Sequence, residues 1–547
     1  MRSVLLLLLA CTRGPAASPQ PEFTTLRFAA INDFHGALYE TVDRDDPTQA
    51  IGGLPWLVSA MDTLRQEDPD LIVLDGGDLY QGVSAVNSSF GLGSVEAFNR
   101  LGVDAAAVGN HEFDYGPGAH EGLRGALLAG ASQAEFAWLA SNITTEDGAP
   151  WQPDGIRPWT LIERKGVQIG VVGLSTMDTP RTTKADHVVD LRFTDPVEAV
   201  RTAVPQMREA GAQVIVAVGH LTGKCAPPEY GVPEPDCTPD GEIGRLLTEL
   251  PPGTLDLLVM GHAHTLLANR IGDTFVVENR AKGHMIGQVE LVVGPDGVVA
   301  DQSRILPPWL LTHKAVDPGC DERPFPTEPL DVGGRMLSPD PEALALIERL
   351  EASAPDLCAV VGCTQQALGR HRQAESAVGD LVADAMRHAT PDAVLAVTNS
   401  GGLRADIRAG DIRLADVQAV MPFDNSLVTV DLSGDQVTEL VRVGTNGDHG
   451  IIQVSGGSLT LTEAGPEVRI NGEAVASDTA YRVVTTDFLL GGGDGLGPTL
   501  QSGTRVDREG PMLRDAIGDY LRSFEGCVDD QTPLPDPNHP RIVRDPG

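Results

Sequence analysis

Five short clusters of nitrogen and oxygen donors punctuate the first half of the chain, each directly after an apolar run. They are Asp33-Phe34-His35, Gly77-Asp78, Gly109-Asn110-His111-Glu112-Phe113-Asp114, Gly219-His220 and Gly261-His262-Ala263-His264. None contains cysteine. Imidazole mixed with carboxylate suits Zn²⁺, Mn²⁺, Fe or Co better than Mg²⁺ or Ca²⁺. Two cations side by side repel unless an anion lies between them, and Asp78 is the natural bridging carboxylate. One Asp-x-His occurs by chance in many chains, and a lone strand-end histidine is ordinarily a hydrogen-bonded structural residue. Five clusters after five apolar runs need a common cause, and metal-assisted hydrolysis supplies one.

A second set of residues reads as a ligand-binding surface. Asn399-Ser400-Gly401-Gly402-Leu403-Arg404 follows the apolar run 394–397. Its glycines allow backbone to approach a ligand closely, and Arg404 offers a rigid fork for phosphate or carboxylate. The bland alternative is a turn followed by a surface arginine. Downstream lie Pro422-Phe423-Asp424-Asn425 and Asp487-Phe488-Leu489-Leu490-Gly491-Gly492-Gly493-Asp494-Gly495. Phenylalanine is scarce, 13 of 547 residues, so Phe423 and Phe488 in polar, Gly-rich loops are candidate stacking faces. The alternative is a loop phenylalanine folded into the core.

The elements that must position these groups follow from the pattern. Apolar runs at 26–31, 71–74, 105–108, 214–218 and 257–260 each give way to a polar cluster and then a helical stretch. Strands alternating with helices indicate an α/β domain with helices covering a sheet. Asp195-Pro196 reads as an N-cap and first helical residue, and Gly211 closes that helix. The region 307–361 is rich in proline and holds one good helix, opening at Asp340-Pro341 with Leu344, Ile347 and Leu350 on its buried face. The expected organisation is a signal and tether over 1–22, a catalytic domain over 23–306, a linker with one helix over 307–365, and a substrate-binding domain over 366–547.

Charge and cysteine narrow the setting. There are 40 Lys+Arg against 77 Asp+Glu, a formal net charge of −37, with 41% hydrophobic residues. The composition is that of a folded chain, and the charge argues against binding a nucleic acid polymer or an anionic membrane surface. Met1-Arg2, an apolar run over 4–10 and then Cys11 fit an export signal. The tetrad Leu8-Leu9-Ala10-Cys11 resembles the bacterial lipoprotein processing site, in which Cys11 would carry a lipid. The alternative is an ordinary signal peptide with an incidental cysteine. Either way the chain is expected in the periplasm or at the cell surface. Six further cysteines favour disulfides in an exported chain, expected as Cys225–Cys237, Cys358–Cys363 and, by elimination, Cys320–Cys527.

The ordered clusters resemble the calcineurin-like metallophosphoesterase superfamily, and the subtype resembles 5'-nucleotidases, which include UDP-sugar hydrolases and 2',3'-cyclic nucleotide phosphodiesterases. The resemblance implies an N-terminal four-layer αββα sandwich and a smaller α+β C-terminal domain. It implies two divalent metal ions, one on Asp33, His35, Asp78 and His264, the other on Asp78, Asn110, His220 and His262. Hydroxide activated by the metals would attack phosphorus, with His111 as charge stabiliser or proton donor oriented by Asp114. Many relatives have Gln or Asn where His264 stands. In the C-terminal domain the resemblance assigns Phe423 and Phe488 to the nucleobase, Asp494 to ribose, and Asn399, Gly402 and Arg404 to ribose or phosphate. A family arginine is replaced by Ala374, with Arg372 two residues earlier as its candidate substitute. Two rival readings are a metallo-hydrolase of sulfur-linked esters and a catalytically inactive nucleoside-binding surface lipoprotein. The complete ligand set weighs against the second, and the aromatic pair against the first.

Overall fold

The computed structural model describes residues 23–42, 49–115, 122–223, 240–314, 329–353, 357–423, 425–446, 450–508, 510–531 and 533–544. Cys11 and its signal-like surroundings, and Cys225, Cys237 and Cys320, lie outside them.

Alternation of side chains along the first strand, Thr24–Ile31, decides the architecture. Leu26, Phe28 and Ala30 point into one core and Ala29 and Ile31 into another, as a two-residue repeat requires of a sheet buried on both faces. This strand lies in an eight-stranded sheet, parallel to Ile72–Asp75, which continues through Ala105–Ala107 to Ala137–Leu139. A six-stranded sheet is built around Val167–Ser175, Val214–His220 and Leu257–Gly261, also mutually parallel. The two sheets face each other through Phe28, Ile72, Leu74, Val171, Val216 and Val259. Helices Leu54–Glu67 and Leu92–Leu101 cover the first sheet, and Pro196–Glu209 and Gly241–Glu249 the second. The result is a four-layer αββα sandwich. Asp195 caps its helix by accepting from the Val197 N–H, with Pro196 at the first helical position.

The helix after the proline-rich stretch, Pro341–Glu351, packs on the sandwich, not between units. Its buried stripe is Ala343, Leu346, Ile347 and Leu350, the i, i+3, i+4, i+7 set of one helix face. Leu344, expected on that stripe, lies only half-buried beside it. Strand Val360–Thr364 instead pairs with Gly410–Arg413 of the second unit. There a five-stranded sheet runs in the order Ile452–Ser455, Leu395–Asn399, Ala480–Thr486, Leu427–Ser433, Thr504–Asp507. Helices Ala377–Ala389 and Leu513–Arg522 cover one face and Gly434–Gly444 the other. Leu395–Asn399 and Ala480–Thr486 are parallel neighbours, so the turns after both emerge at one edge.

The cysteine pairing differs from expectation. Cys363 is bonded to Cys527, 164 residues away, so neither Cys358–Cys363 nor Cys320–Cys527 forms; Cys358 is disulfide-bonded to another partner. Closeness in sequence misled because Cys363 lies on a strand whose neighbours are the helices near the C-terminus. Among the described residues no helix is long and apolar enough to cross a membrane.

Candidate active site

All five donor clusters leave the carboxyl ends of parallel strands, on one edge of the sandwich. To turn there the backbone takes left-handed conformations that non-glycine residues seldom adopt: φ is 49° at Asp33, 48° at His35, 61° at Asp78, 98° at His262 and 55° at His264. Neighbouring segments hold these turns. The Asp33 N–H donates to Gly77 O at 2.9 Å, the His35 N–H to Asp78 O at 3.0 Å, and the His262 N–H to the Asp33 carboxylate at 3.0 Å. Gly109 is required by crowding, since a Cβ there would lie 2.2 Å from Asp78 Oδ1.

The donor atoms converge in two groups. His35 Nε2 lies 3.1 Å from His264 Nε2, which is 3.2 Å from Asp33 Oδ1. In the second group His262 Nδ1 is 3.1 Å from both His220 Nε2 and Asn110 Oδ1, and His220 Nε2 is 3.0 Å from Asp78 Oδ2. Asp78 Oδ2 also faces His35 Nε2 at 3.8 Å, which places it between the groups. Backbone fixes the tautomers: His35 Nδ1 donates to Gln81 O at 3.1 Å and His220 Nδ1 to Gly76 O at 3.0 Å. Each Nε2 therefore faces another histidine's ring nitrogen. Such contacts require a proton or a cation between them. Ligands about 2.0–2.2 Å from a common metal ion stand roughly 3–3.5 Å apart, and the observed spacing fits.

The local electrostatics demand positive charge. Burial works against ionisation of Asp33 and Asp78, yet His264 beside the first and His220 beside the second hold both carboxyls below the usual range. Burial equally opposes a charged His220, but Asp78 pushes it up to about 10. Burial, reinforced by His220, holds His262 down at about 3.

Two buried residues beyond the expected ligands organise the loops. Glu112, fully buried, accepts backbone N–H groups from Asp78, Leu79, Tyr80 and Gly109 at 3.2, 2.7, 3.1 and 2.6 Å. Burial and the adjacent Asp78 push its carboxyl up to about 7, while the four donors favour the carboxylate. Asn32 donates to Asp33 Oδ2 at 2.7 Å and accepts from the Asn279 N–H at 2.7 Å. Glu112 stands inside the GNHEFD cluster and Asn32 directly before Asp33, so position alone was the available signal.

His111 stands at the mouth of the cluster. Its Nδ1 meets Asp114 Oδ2 at 2.5 Å, leaving Nε2 to face Asp78 Oδ2 at 3.9 Å. The second unit reaches the same point. Phe423 stacks on His111 with ring centroids 6.0 Å apart, and the Arg404 guanidinium lies over the Phe423 ring, 5.7 Å from its centroid. Burial, then the nearby charge of Arg372, lowers the Arg404 guanidinium from its ordinary value, so the two arginines share one region. Ala374 contributes only its carbonyl, to Gln453 Nε2 at 2.9 Å. Asn399 donates to Asp494 Oδ2 at 2.6 Å, joining the two Gly-rich turns. These two residues line a small cleft with Ile451, Ile452 and Leu496. Gly402 lies against Asn399, and Phe488 lies on Gly493, where a Cβ would come within 2.3 Å of its ring.

Comparison with known proteins agrees with this architecture. Residues 26–266 match the model for calcineurin-like phosphoesterases, and residues 358–502 that for the 5'-nucleotidase C-terminal domain. The chain is 26% identical to a cell wall protein of Listeria monocytogenes, over 88% of this chain and 65% of that protein. It is 28% identical to a trifunctional nucleotide phosphoesterase protein of Bacillus subtilis, over 80% of this chain and 31% of that one. It thus spans less than two thirds of either relative's length. A 5'-nucleotidase of Vibrio cholerae is 26% identical over 95% of this chain and 94% of its own. The fold is similar to the crystal structure of a 5'-nucleotidase precursor from Thermus thermophilus, with a TM-score of 0.71 at 24% identity over 96% and 100% of the two chains.

Proposed function

The chain belongs to the 5'-nucleotidase family, a calcineurin-like phosphoesterase domain joined to a 5'-nucleotidase C-terminal domain, and from that premise we propose that it hydrolyses nucleotide phosphate esters at a two-metal site. The observation that carries this reading is the reach of Phe423 and Arg404 from the second unit to His111 beside the donor cluster.

In this reading Asp33, His35, Asp78 and His264 hold one divalent cation, and Asp78, Asn110, His220 and His262 hold the other. The imidazole and carboxylate donors suit Zn, Mn, Co or Fe. When bound, such a pair neutralises phosphate charge and activates water. The rest falls to the chain's own groups. Asp114 fixes the ring of His111 through Nδ1, so Nε2 is the atom that stabilises charge on phosphate or moves a proton at the leaving oxygen. Arg404, with Arg372 near it, supplies cationic grip for phosphate where Ala374 supplies none. Phe423 and Phe488 offer ring faces to the nucleobase. Asn399, Gly402 and Asp494 form the polar wall for ribose.

A disulfide fits an oxidising compartment, and the similar Listeria protein is a cell wall protein. A lipid on Cys11 would anchor the chain at that surface through its 12–22 tether. The test of the function is phosphate release from AMP, UDP-glucose and 2',3'-cyclic AMP by purified protein loaded with Zn²⁺, Mn²⁺ or Co²⁺. Turnover of at least one is expected; turnover of none, with metal bound, overturns the reading.

A further inference from the structure

Three consecutive residues touch three different parts of the site. The Thr182 carbonyl accepts from Asn110 Nδ2 at 3.1 Å, which turns the Asn110 oxygen towards His262. The Thr183 hydroxyl donates to Asp114 Oδ1 at 2.8 Å, while the other oxygen of that carboxylate meets His111. Lys184 Nζ lies 3.4 Å from Asp487 Oδ2 in the second unit. Asp487 Oδ1 in turn accepts the N–H groups of Phe488 at 2.9 Å and Ser426 at 3.1 Å. Extended backbone at Thr183, φ −126° and ψ −176°, sends successive side chains to opposite sides. Thr183 is accordingly buried, only 2% exposed, against the first unit, and Lys184 reaches the second. The segment is pinned at both ends, by the helix Thr179–Thr182 and by His187 Nδ1 donating to Phe113 O at 2.8 Å. Residues this close along a pinned chain move together.

We propose that residues 182–184 form a positioning strap, which couples docking of the Phe488 loop to the alignment of Asn110 and of the His111–Asp114 pair. The strap rests on the reading of this site as a nucleotide phosphoesterase. It adds a route by which a nucleobase held in the second unit acts on groups at the phosphate. Thr183 and Lys184 are positioning residues: the first acts through Asp114, the second through Asp487.

Steady-state kinetics on AMP and p-nitrophenyl phosphate, which has no nucleobase, separate the two roles. Thr183→Val should lower kcat for both esters by about tenfold, the scale of one lost hydrogen bond in a transition state, with KM little changed. Thr183→Ser keeps the hydroxyl and should restore most of the rate. Lys184→Ala should lower kcat/KM for AMP by about tenfold and for p-nitrophenyl phosphate far less. Wild-type kcat in Thr183→Val, or equal losses on the two esters in Lys184→Ala, overturns the strap. Hydrogen exchange read by mass spectrometry judges it without catalysis. Lys184→Ala should speed exchange in peptides spanning 110–115 and 179–188, and unchanged exchange there overturns the proposal whatever the substrate. Failure of the wild type to hydrolyse either ester would instead count against the functional reading.

Discussion

The ring of Phe423 stacks on the imidazole of His111, centroids 6.0 Å apart and planes inclined by 28°, although one residue belongs to the C-terminal unit and the other to the sandwich. The loop that carries Phe423 is gripped from the sandwich side as well. Asn87 Nδ2 donates to Pro422 O at 2.8 Å, and Tyr115 holds Asn87 by donating to its Oδ1 at 2.8 Å. The two units therefore meet beside the donor cluster, and a change on the C-terminal side is expected to register at His111.

Phe423→Leu tests that meeting point. Leucine fills much of the same volume but offers no ring face to His111, to Arg404 or to a nucleobase. Aromatic and cation–π contacts are each worth about 0.5–1.5 kcal/mol, so kcat/KM for AMP should fall by about 5–30-fold. Steady-state kinetics with AMP checks it, and a wild-type value would remove Phe423 from the site.

Asp78 stands between the two donor groups, 3.0 Å from His220 and 3.8 Å from His35. It also accepts the His111 N–H at 3.0 Å. Asp78→Asn takes away a charge shared by both proposed metals. Elemental analysis after exhaustive reloading should find less than the full complement of metal, with kcat down by at least about a hundredfold. Full metal content at the wild-type rate would refute the bridging role.

Glu112 presents a different risk, because its carboxylate gathers four backbone N–H groups in a fully buried place. A buried donor left without an acceptor costs about 1–3 kcal/mol. Glu112→Gln keeps the shape but replaces one acceptor oxygen by an amide donor facing those N–H groups. The sandwich should lose about 2–5 kcal/mol of stability, measured by denaturant unfolding. A loss below about 0.5 kcal/mol would show that the loops hold themselves.

What sequence could and could not disclose follows from the range of each interaction. The donor clusters were legible because strand ends deliver a whole motif to one edge, so Asp33, His35, Asp78, Asn110, His220, His262 and His264 meet once the sheets form. Strands alternating with helices were legible because apolar runs such as 26–31 and 214–218 are local, whereas the four layers were implied only by the family resemblance. Thr183 gave no signal, since a threonine after a helix has many ordinary uses and its partner Asp114 is 69 residues away. The cysteine pairing failed for the same reason: proximity in sequence suggested Cys358 for Cys363, whereas sheet and helix packing set Cys527 beside it.

That disulfide should matter for the C-terminal unit alone. It closes a long loop, tying strand Val360–Thr364 to the segment after helix Leu513–Arg522. Such a link stabilises mostly by restricting the unfolded chain, by about 2–5 kcal/mol. Cys527→Ser is expected to lower the unfolding midpoint of the C-terminal unit while metal uptake by the sandwich persists. Identical unfolding curves for the two proteins would deny the link a stabilising role.

Asp256 offers a test of pH dependence well away from the proposed metal ligands. Its Oδ2 accepts the Ile215 N–H at 2.8 Å, with Arg208 4.0 Å away, where strand Leu257–Gly261 begins. Burial raises its carboxyl from 3.8 to about 6, against the pull of the Ile215 N–H and of Arg208. The folded state thus binds the proton more tightly than the unfolded chain does. The associated stability is fully present below about pH 4 and disappears as pH rises through about 6, a change of at most roughly 3 kcal/mol. Asp256→Asn keeps an oxygen for the Ile215 N–H and has no proton to lose. Relative to wild type, the variant should therefore gain about 1–3 kcal/mol between pH 5 and pH 8, read from denaturant unfolding across that range. A difference between the two proteins that stays constant with pH would mean that Asp256 remains ionised in the fold.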